Sequence, residues 1–479
     1  MIKRFIKSIL GLGDKATADQ ARKTTRPAKP KKRGDGKKSD KTHLPEIYQH
    51  AQHQINIKLA SPNAIRVTDT LQQAGFQAFI VGGAVRDLLL GIKPKDFDVA
   101  TNATPQQVQQ LFRRARLIGR RFQIVHVQFG HEIIETSTFR ALTTDSAPTD
   151  EHGRVLRDNI FGEQHEDATR RDFSVNALYY DPATQTVHDY HHGVADLRAK
   201  TLRMIGDPAT RYREDPVRML RAVRFAAKLG FQIDPATRQP IVDLAELLSN
   251  VPAARLFDEM LKLFYSGSAL ACLKQLREEG LHHGVLPLLD TVLEQPLGEK
   301  FVDMALANTD ARIKAEKSVS PGFLFASLLW HQVLEQWKAL EAGGEHSIPA
   351  LHHAMNAVLD TQTEKLAINR RFTGDMKDIW LMQPRFEKRS GRMPYRLMEN
   401  PRFRAGYDFL LLRCQSGEMD EALGQWWTDF IDADAAGREE LIQSSSRKSK
   451  ADDAKPKRKR RKPRKAGEEI STSTPPIQP

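Results

Sequence analysis

Along the first third of the chain the apolar positions change period several times, and each change marks an element. Residues 64–74 (AIRVTDTLQQA) repeat apolar side chains at helical spacing and stop at Gly75, which predicts a helix. Ala78 to Val81 is a continuous apolar run, the pattern of a strand buried on both faces. Gly82 and Gly83 follow it, and residues 84–90 return to helical spacing until Gly91 and Pro94 break the pattern. A second strand then carries Asp96 and Asp98, and strand residues two apart face the same way. Thr104 as N-cap with Pro105 behind it predicts a helix over 104–114. LIGRRFQIVHVQFG and HEIIETSTFR alternate or run apolar on either side of Gly130, predicting two antiparallel strands that complete a small mixed sheet.

From Gly193 onward the period is helical and stays so. Residues 207–231 form a largely helical, arginine-rich stretch, and residues 235–338 repeat amphipathic helices such as VPAARLFDEMLKLFYSG and ALACLKQLREEG. The fold class is therefore α+β: a small mixed-sheet head over 55–192, then an all-helical neck over 193–260 and body over 261–440. Residues 1–50 and 441–479 read as basic, mostly disordered segments. The runs KPKKRGDGKKSDK and KPKRKRRKPRK hold too few apolar side chains to fold.

Composition sharpens this in three ways. At 479 residues the chain is long enough for two or three domains, and its 40% hydrophobic and 28% charged content is that of an ordinary water-soluble chain. No apolar run approaches the roughly eighteen residues of a membrane span. The net charge of +13 points to a polyanionic partner, and because much of it sits in the tails it speaks mainly of salt-dependent, sequence-independent nucleic-acid contacts. Cys272 and Cys414 are far apart and lack metal-ligand spacing, which fits a reducing, cytoplasmic compartment. In MIKRFIKSILGLG, Ile2, Phe5, Ile6, Ile9 and Leu10 with Lys3, Arg4 and Lys7 suit either peripheral membrane contact or a partner-docking helix. Lys7 and the lack of a small-residue cleavage site argue against a signal peptide.

The candidate chemistry begins where Gly82 and Gly83, at a strand-to-helix turn, face Asp96 and Asp98: a place for a phosphate chain and the metal ions that neutralise it. Glu135, on a neighbouring strand, offers a third carboxylate, or is a surface glutamate. Residues 142–153 (LTTDSAPTDEHG) read as a loop over the site. The helical part of EDATRRDFSVNALYYD brings Asp167, Arg170, Arg171 and Asn176 towards the sheet, Arg171 for phosphate and Asp172 for a ribose hydroxyl, unless this is simply a solvated charged face. Further on, Arg211, Arg213, Arg218, Arg221 and Arg224 crowd one helical stretch. Asp215 and Arg218, three apart on a helix, can read the edge of a base, or form an ordinary helix ion pair worth a few tenths of a kcal/mol. The pairs His282-His283 and His352-His353 have no partner carboxylates in pattern and read as structural. Trp380, Phe386, Phe403 and Tyr407 among arginines and lysines suit single-stranded RNA, or an amphipathic helical core.

Three motifs stand in order: VGGAVRDLLLG with DFD, EDATRRDFSVNAL, and REDPVRMLRAVRF. Together, over residues 65–231, they resemble the class II nucleotidyltransferases of the polymerase-β superfamily, which comprises tRNA CCA-adding enzymes and bacterial poly(A) polymerases. GRRFQIVHV, the segment from RFTGDMKDIW to NPRFRAGYDFLLLR, and the basic tail resemble the poly(A) polymerase branch, against which the 142–153 loop is short. The resemblance implies a nucleotidyltransferase head, a neck that binds nucleotide and RNA, and an RNA-binding body. It implies that Asp96 and Asp98 bind two Mg²⁺ (or Mn²⁺) ions, and that Gly82, Gly83 and Arg86 hold the triphosphate of ATP. Asp167 falls in the active site, while Arg171, Asp172 and Asn176 contact phosphate and sugar. Asp215 and Arg218 recognise the adenine edge, with Arg221 beside them. The implied activity is template-independent addition of AMP to RNA 3′ ends with release of pyrophosphate, marking RNA for decay, with RNA 3′ ends and RNA-decay proteins as partners. The alternatives are CCA addition to tRNA and a non-catalytic basic RNA-binding protein, against which the intact DFD and RRD signatures argue.

Overall fold

The computed structural model describes residues 44–119, 123–141, 160–281, 296–365 and 367–453. The N-terminal segment to residue 43, the 142–153 loop, His282-His283, Arg120 to Phe122 of GRRF and the tail after 453 lie outside them. Eight strands make one mixed sheet: β1 (Glu46–Tyr48), β2 (Ala78–Val81), β3 (Asp98–Thr101), β4 (Ala115–Ile118), β5 (Ile124–Phe129), β6 (Glu132–Thr138), β7 (Leu178–Asp181) and β8 (Thr186–Asp189). Their order is β1-β8-β7-β2-β3-β6-β5-β4. Only β3 and β6 run parallel, and every other neighbouring pair is antiparallel.

The flanking helices form where the sequence supplies their ends. In α1 (Pro62–Gln73) the Ser61 hydroxyl accepts from Asn63 N and Ala64 N, and Val67 and Leu71 are buried against the sheet. Gly82 takes φ +71° and ψ −133° at the turn from β2 into α2 (Gly83–Leu89), a conformation that favours glycine. In α3 (Pro105–Leu111) Thr104 and Gln107 close a reciprocal capping box. This helix ends short of the expected Arg114, because the Arg114 carbonyl already accepts from Gln128 N of β5 at 3.0 Å.

Other expectations change in the same way, where pairing overrides pattern. β3 starts at Asp98, so Asp96 precedes the strand rather than lying in it. The two still face one way, since Phe97 between them is buried while Asp96 is exposed and Asp98 half-buried. The apolar stretch before Gly130 divides at Gly119 (φ +92°) into β4 and β5. Within residues 166–181 only α4 (Gln164–Arg170) is α-helical; a 3₁₀ turn over Ser174–Asn176 follows, and LYYD becomes β7. The helical run from Gly193 is interrupted by a parallel pair, β9 (Thr201–Leu202) and β10 (Gln232–Ile233).

One row across the sheet positions the site. Val81 lies opposite Tyr179 on one side and Asp98 on the other; Asp98 lies beside Glu135, and Glu135 opposite His126. Paired residues share a face, so Tyr179, Val81, Asp98, Glu135 and His126 all point one way, each strand about 4.8 Å from the next. That face is packed by Phe79, Ala100, Phe139 and Ala168 of α4.

Helices α5 (Gly193–Arg198), α6 (Pro208–Glu214), α7 (Val217–Leu229), α8 (Pro235–Leu244) and α9 (Ala253–Phe264) follow the sheet. The chain divides into two compact units, Met1–Trp380 and Leu381–Pro479. In the first unit Trp380 is fully buried and its Nε1 donates to the Ala326 carbonyl at 3.1 Å. In the second, Phe386, Tyr407, Trp426, Trp427 and Phe430 make the core. The aromatics that suited RNA stacking are therefore core: Trp380, Phe386 and Tyr407 are buried, and half-buried Phe403 packs against Phe386.

Candidate active site

A cavity of about 740 Å³, within the roughly 300–1,000 Å³ usual for small-ligand sites, opens beside the Gly82 turn. Its walls bring together Gly82, Gly83, Arg86, Asp96, Asp98, Arg171, Asp172, Asn176, Asp215, Arg218 and Arg221. Residues from the start of α2 to the middle of α7 thus meet at one surface.

Below the turn, a polar lattice holds these groups in place. Arg86, 3% exposed, donates through Nη1 to Asn176 Oδ1 at 2.7 Å and through Nε and Nη2 to Asp87 Oδ1. Asn176 in turn donates to Asp172 Oδ1 at 3.3 Å, which also accepts from Phe173 N at 2.8 Å. Asp172 Oδ2 accepts from both Nε and Nη2 of Arg221, two charge-assisted bonds onto one oxygen. Burial alone would raise the Asp172 carboxyl, but the Arg221 guanidinium against it more than reverses this and holds it below its ordinary value. Arg211 Nη2 bonds the carbonyls of Arg170 and Arg171 at 2.8 and 2.7 Å, tying α6 to the end of α4.

On α7, the Phe225 ring is flanked by three guanidinium groups, those of Arg86, Arg221 and Arg224, at 5.4, 5.3 and 4.4 Å from its centroid. Burial lowers Arg224 to about 10, and Arg221 beside it adds to the fall. Glu259 of α9 lies 3.9 Å from Arg224 Nη2 and accepts from Lys262 Nζ. Lys93, Lys95, Lys228 and Lys262 also line the cavity. These four lysines belong to no motif in the sequence. The only signal was KPKD, which puts Lys93 and Lys95 immediately ahead of the carboxylates.

Three expected site residues are placed differently. Asp215 is not on a helix with Arg218: it lies extended (φ −150°, ψ 92°) between α6 and α7, where Pro216 starts the next helix. Its Oδ2 accepts from Arg255 Nη2 at 2.6 Å, whereas Arg218 Nη1 bonds Glu214 Oε2 at 2.8 Å and the Arg211 carbonyl at 2.7 Å. Both still line the cavity. Arg255, forty residues downstream, carried no sequence signal. Glu135 sits beside Asp98 in the sheet but does not line the cavity, and its Oε1 lies 3.5 Å from His126 Nε2. Asp167 is also off the cavity wall: its Oδ2 accepts from Tyr179 Oη at 2.7 Å and Arg171 Nη2 at 3.1 Å. Arg170 lines the cavity, and exposed His353 meets Glu345 at 2.6 Å.

The donor set fits a hard divalent cation. Asp96 and Asp98 supply two carboxylates on one face of the cavity, and Mg²⁺ is commonly held by one or two carboxylates with water and substrate phosphates completing its shell. Among the described residues no group of three or more His, Cys, Asp or Glu converges, so nothing here makes a closed, all-protein metal cage.

Comparison with known proteins agrees with this geometry. Residues 78–203 match the family described as Poly A polymerase head domain, 230–293 that described as Probable RNA and SrmB- binding site of polymerase A, and 343–466 the Polymerase A arginine-rich C-terminus. The chain is 44% identical over 448 residues to Poly(A) polymerase I of Haemophilus influenzae, covering 91% of this chain and 98% of that one. It is 45% identical over 432 residues to Poly(A) polymerase I of Escherichia coli O157:H7, with 88% and 92% covered. By contrast the CCA-adding enzyme of Lactobacillus helveticus matches at 41% over 200 residues, 42% of this chain and 49% of that one. Among solved structures, the CCA-adding enzyme of Bacillus stearothermophilus in complex with CTP superposes with a TM-score of 0.51 at 26% identity over 76% of this chain and 82% of that chain. A tRNA nucleotidyltransferase with primer tRNA and an ATP analog gives 0.52 at 22% identity over 80% of this chain and 99% of that one, which shows the shared fold. The catalytic-head motifs, the cavity they build and matches that run nearly the full length of known poly(A) polymerases agree: this chain belongs to the poly(A) polymerase I family.

Proposed function

We propose that the chain adds AMP from ATP to RNA 3′ ends without a template, releasing pyrophosphate, and that the cavity beside Gly82 is where it does so. The observation that carries this reading is the row that sets Asp98 next to Val81 and the Gly82 turn, with Asp96 facing the same way and a wall of arginines in the same cavity. Gly82 and Gly83 let the backbone come close to the triphosphate, and Arg86 and Arg171 meet its charge. Asp172 and Asn176, locked to Arg221 and Arg86, offer a fixed oxygen and amide to the ribose. Asp215 and Arg218 present an acceptor and a donor to the adenine edge, and a base that mispairs with them leaves buried polar groups unsatisfied. Two Mg²⁺ (or Mn²⁺) ions at Asp96 and Asp98 would lower the pKa of the attacking 3′ hydroxyl and stabilise the in-line transition state. Glu135, beside Asp98 in register, stands outside the cavity against His126 and would act on this pair only through the sheet. The neck and body would guide the RNA, the tailed RNA would be marked for decay with decay proteins as partners, and the work would be cytoplasmic. Among the described residues no helix is long and apolar enough to cross a membrane.

Purified protein given an unstructured RNA and each nucleotide separately tests the reading. Long tails with ATP alone are expected, and Asp98→Ala is expected to abolish them while RNA binding survives. Extension by Asp98→Ala would refute the metal reading, and addition of two C and one A to a trimmed tRNA would refute polyadenylation in favour of CCA addition.

A further inference from the structure

Tyr179 is fully buried, falls outside the motifs and does not line the cavity, yet its side chain meets the arginine that lies against the Gly82 turn. Arg171 Nε donates to Tyr179 Oη at 3.1 Å, Tyr179 Oη donates to Asp167 Oδ2 at 2.7 Å, and Arg171 Nη2 donates to the same Oδ2 at 3.1 Å. The three groups close a triangle. The Tyr179 ring also lies under the guanidinium, its centroid 5.1 Å from Arg171 Cζ. The remaining nitrogen, Nη1, is 3.4 Å from the Asn176 carbonyl and would stand 3.2 Å from a Cβ added at Gly82. Arg171 lines the cavity; Asp167 and Tyr179 lie behind it.

We propose that Tyr179, together with Asp167, is a positioning residue that fixes the Arg171 guanidinium against the Gly82 turn, so that the phosphate chain of the incoming nucleotide meets a cation already in place. This rests on the reading of Arg171 as a phosphate ligand. The physical reason for two partners is rotational. A single carboxylate leaves a guanidinium free to swing about the contact, whereas a hydroxyl at Nε, a carboxylate at Nη2 and a ring beneath define its plane. Preorganisation matters because an arginine that must first be ordered spends binding energy on its own rotamers. The sheet supplies the rest: Tyr179 and Asp98 flank Val81 from opposite sides, so the arginine's support and the metal-binding carboxylate are held by one rigid row.

Tyr179→Phe keeps the ring, the volume and the burial and removes only the hydroxyl. It should raise the KM for ATP and the inhibition constant of inorganic tripolyphosphate together, by about three- to tenfold as for one buried hydrogen bond, while the KM for RNA stays unchanged. In an Arg171→Lys background, where no fork remains to be oriented, Tyr179→Phe should have no further effect on either constant. Three results would overturn the proposal: effects of Tyr179→Phe and Arg171→Lys that simply multiply, a lowered Tm with ATP and tripolyphosphate constants unchanged, or a raised KM for RNA alone. If Arg171→Lys by itself leaves tripolyphosphate inhibition unchanged, Arg171 is not a phosphate ligand, and the parent reading falls separately from the positioning one.

Discussion

Asp172 joins the segment after α4 to α7 through a largely buried ion pair. Its Oδ2 receives both Nε and Nη2 of Arg221 from α7 while Oδ1 anchors Asn176, so the same group fixes two site residues and links two helical stretches. Asp172→Asn leaves Arg221 without its counter-ion and should destabilise the protein by roughly 3 kcal/mol, near the lower end for such pairs because Arg221 keeps 31% of its side chain exposed. The sign with pH follows from the lowered carboxyl. Its folded value lies below the unfolded one of about 3.9, so the stabilisation is complete above that pH and is lost as pH falls through the folded value. Denaturant titrations should therefore show a gap between wild type and Asp172→Asn at pH 7 that closes on acidification. Residues such as Gly82, Asp96, Asp98, Arg171 and Asp172 were legible because each sits in a short motif whose chemistry is local. Arg255 and Tyr179 were not, since the partner of Arg255 lies forty residues away and those of Tyr179 eight and twelve, and no periodicity connects them.

At the scale of elements, the turn between β2 and α2 carries the greatest constraint. Gly82→Ala meets a φ of +71° and places a Cβ 3.2 Å from Arg171 Nη1. We expect a loss of about 1–3 kcal/mol from backbone strain, measured by denaturation, together with a raised KM for ATP. Thr104→Ala provides the contrast: it removes a helix cap remote from the cavity and should cost about 1 kcal/mol while leaving the KM for ATP unchanged. A KM for ATP equally affected by both would deny the turn its special place. The strand β2 and helices α1 to α3 were readable from period and caps within a few residues. LYYD was not, because a short apolar run suits a helix or a strand equally, and it is a strand here only because β2 and β8 offer partners on either side. Likewise Arg114 left its helix to pair with β5.

For the whole molecule, charge and apolar content divide the work. The folded units bury their aromatics, as Trp380, Trp427 and Phe430 do, and the ends of the chain are rich in Lys and Arg. Removing residues 454–479 should weaken RNA binding and flatten its dependence on salt, by a slope of about 0.7 for each single-strand phosphate that the tail neutralises, without altering kcat at saturating RNA. Equal affinity of the truncated and full-length proteins at low and moderate salt would show that the tail neutralises no phosphate.

By itself, then, the amino-acid sequence determined the α+β class, the glycine turn, the paired carboxylates and the polyanionic partner, since these depend on local period, backbone freedom and charge. Tertiary structure alone decided that β3 begins at Asp98, that Asp215 answers Arg255 rather than Arg218, and that Tyr179 stands behind Arg171. Those facts depend on which strands become neighbours and in what register, and register is set by long-range pairing that no short window of sequence contains.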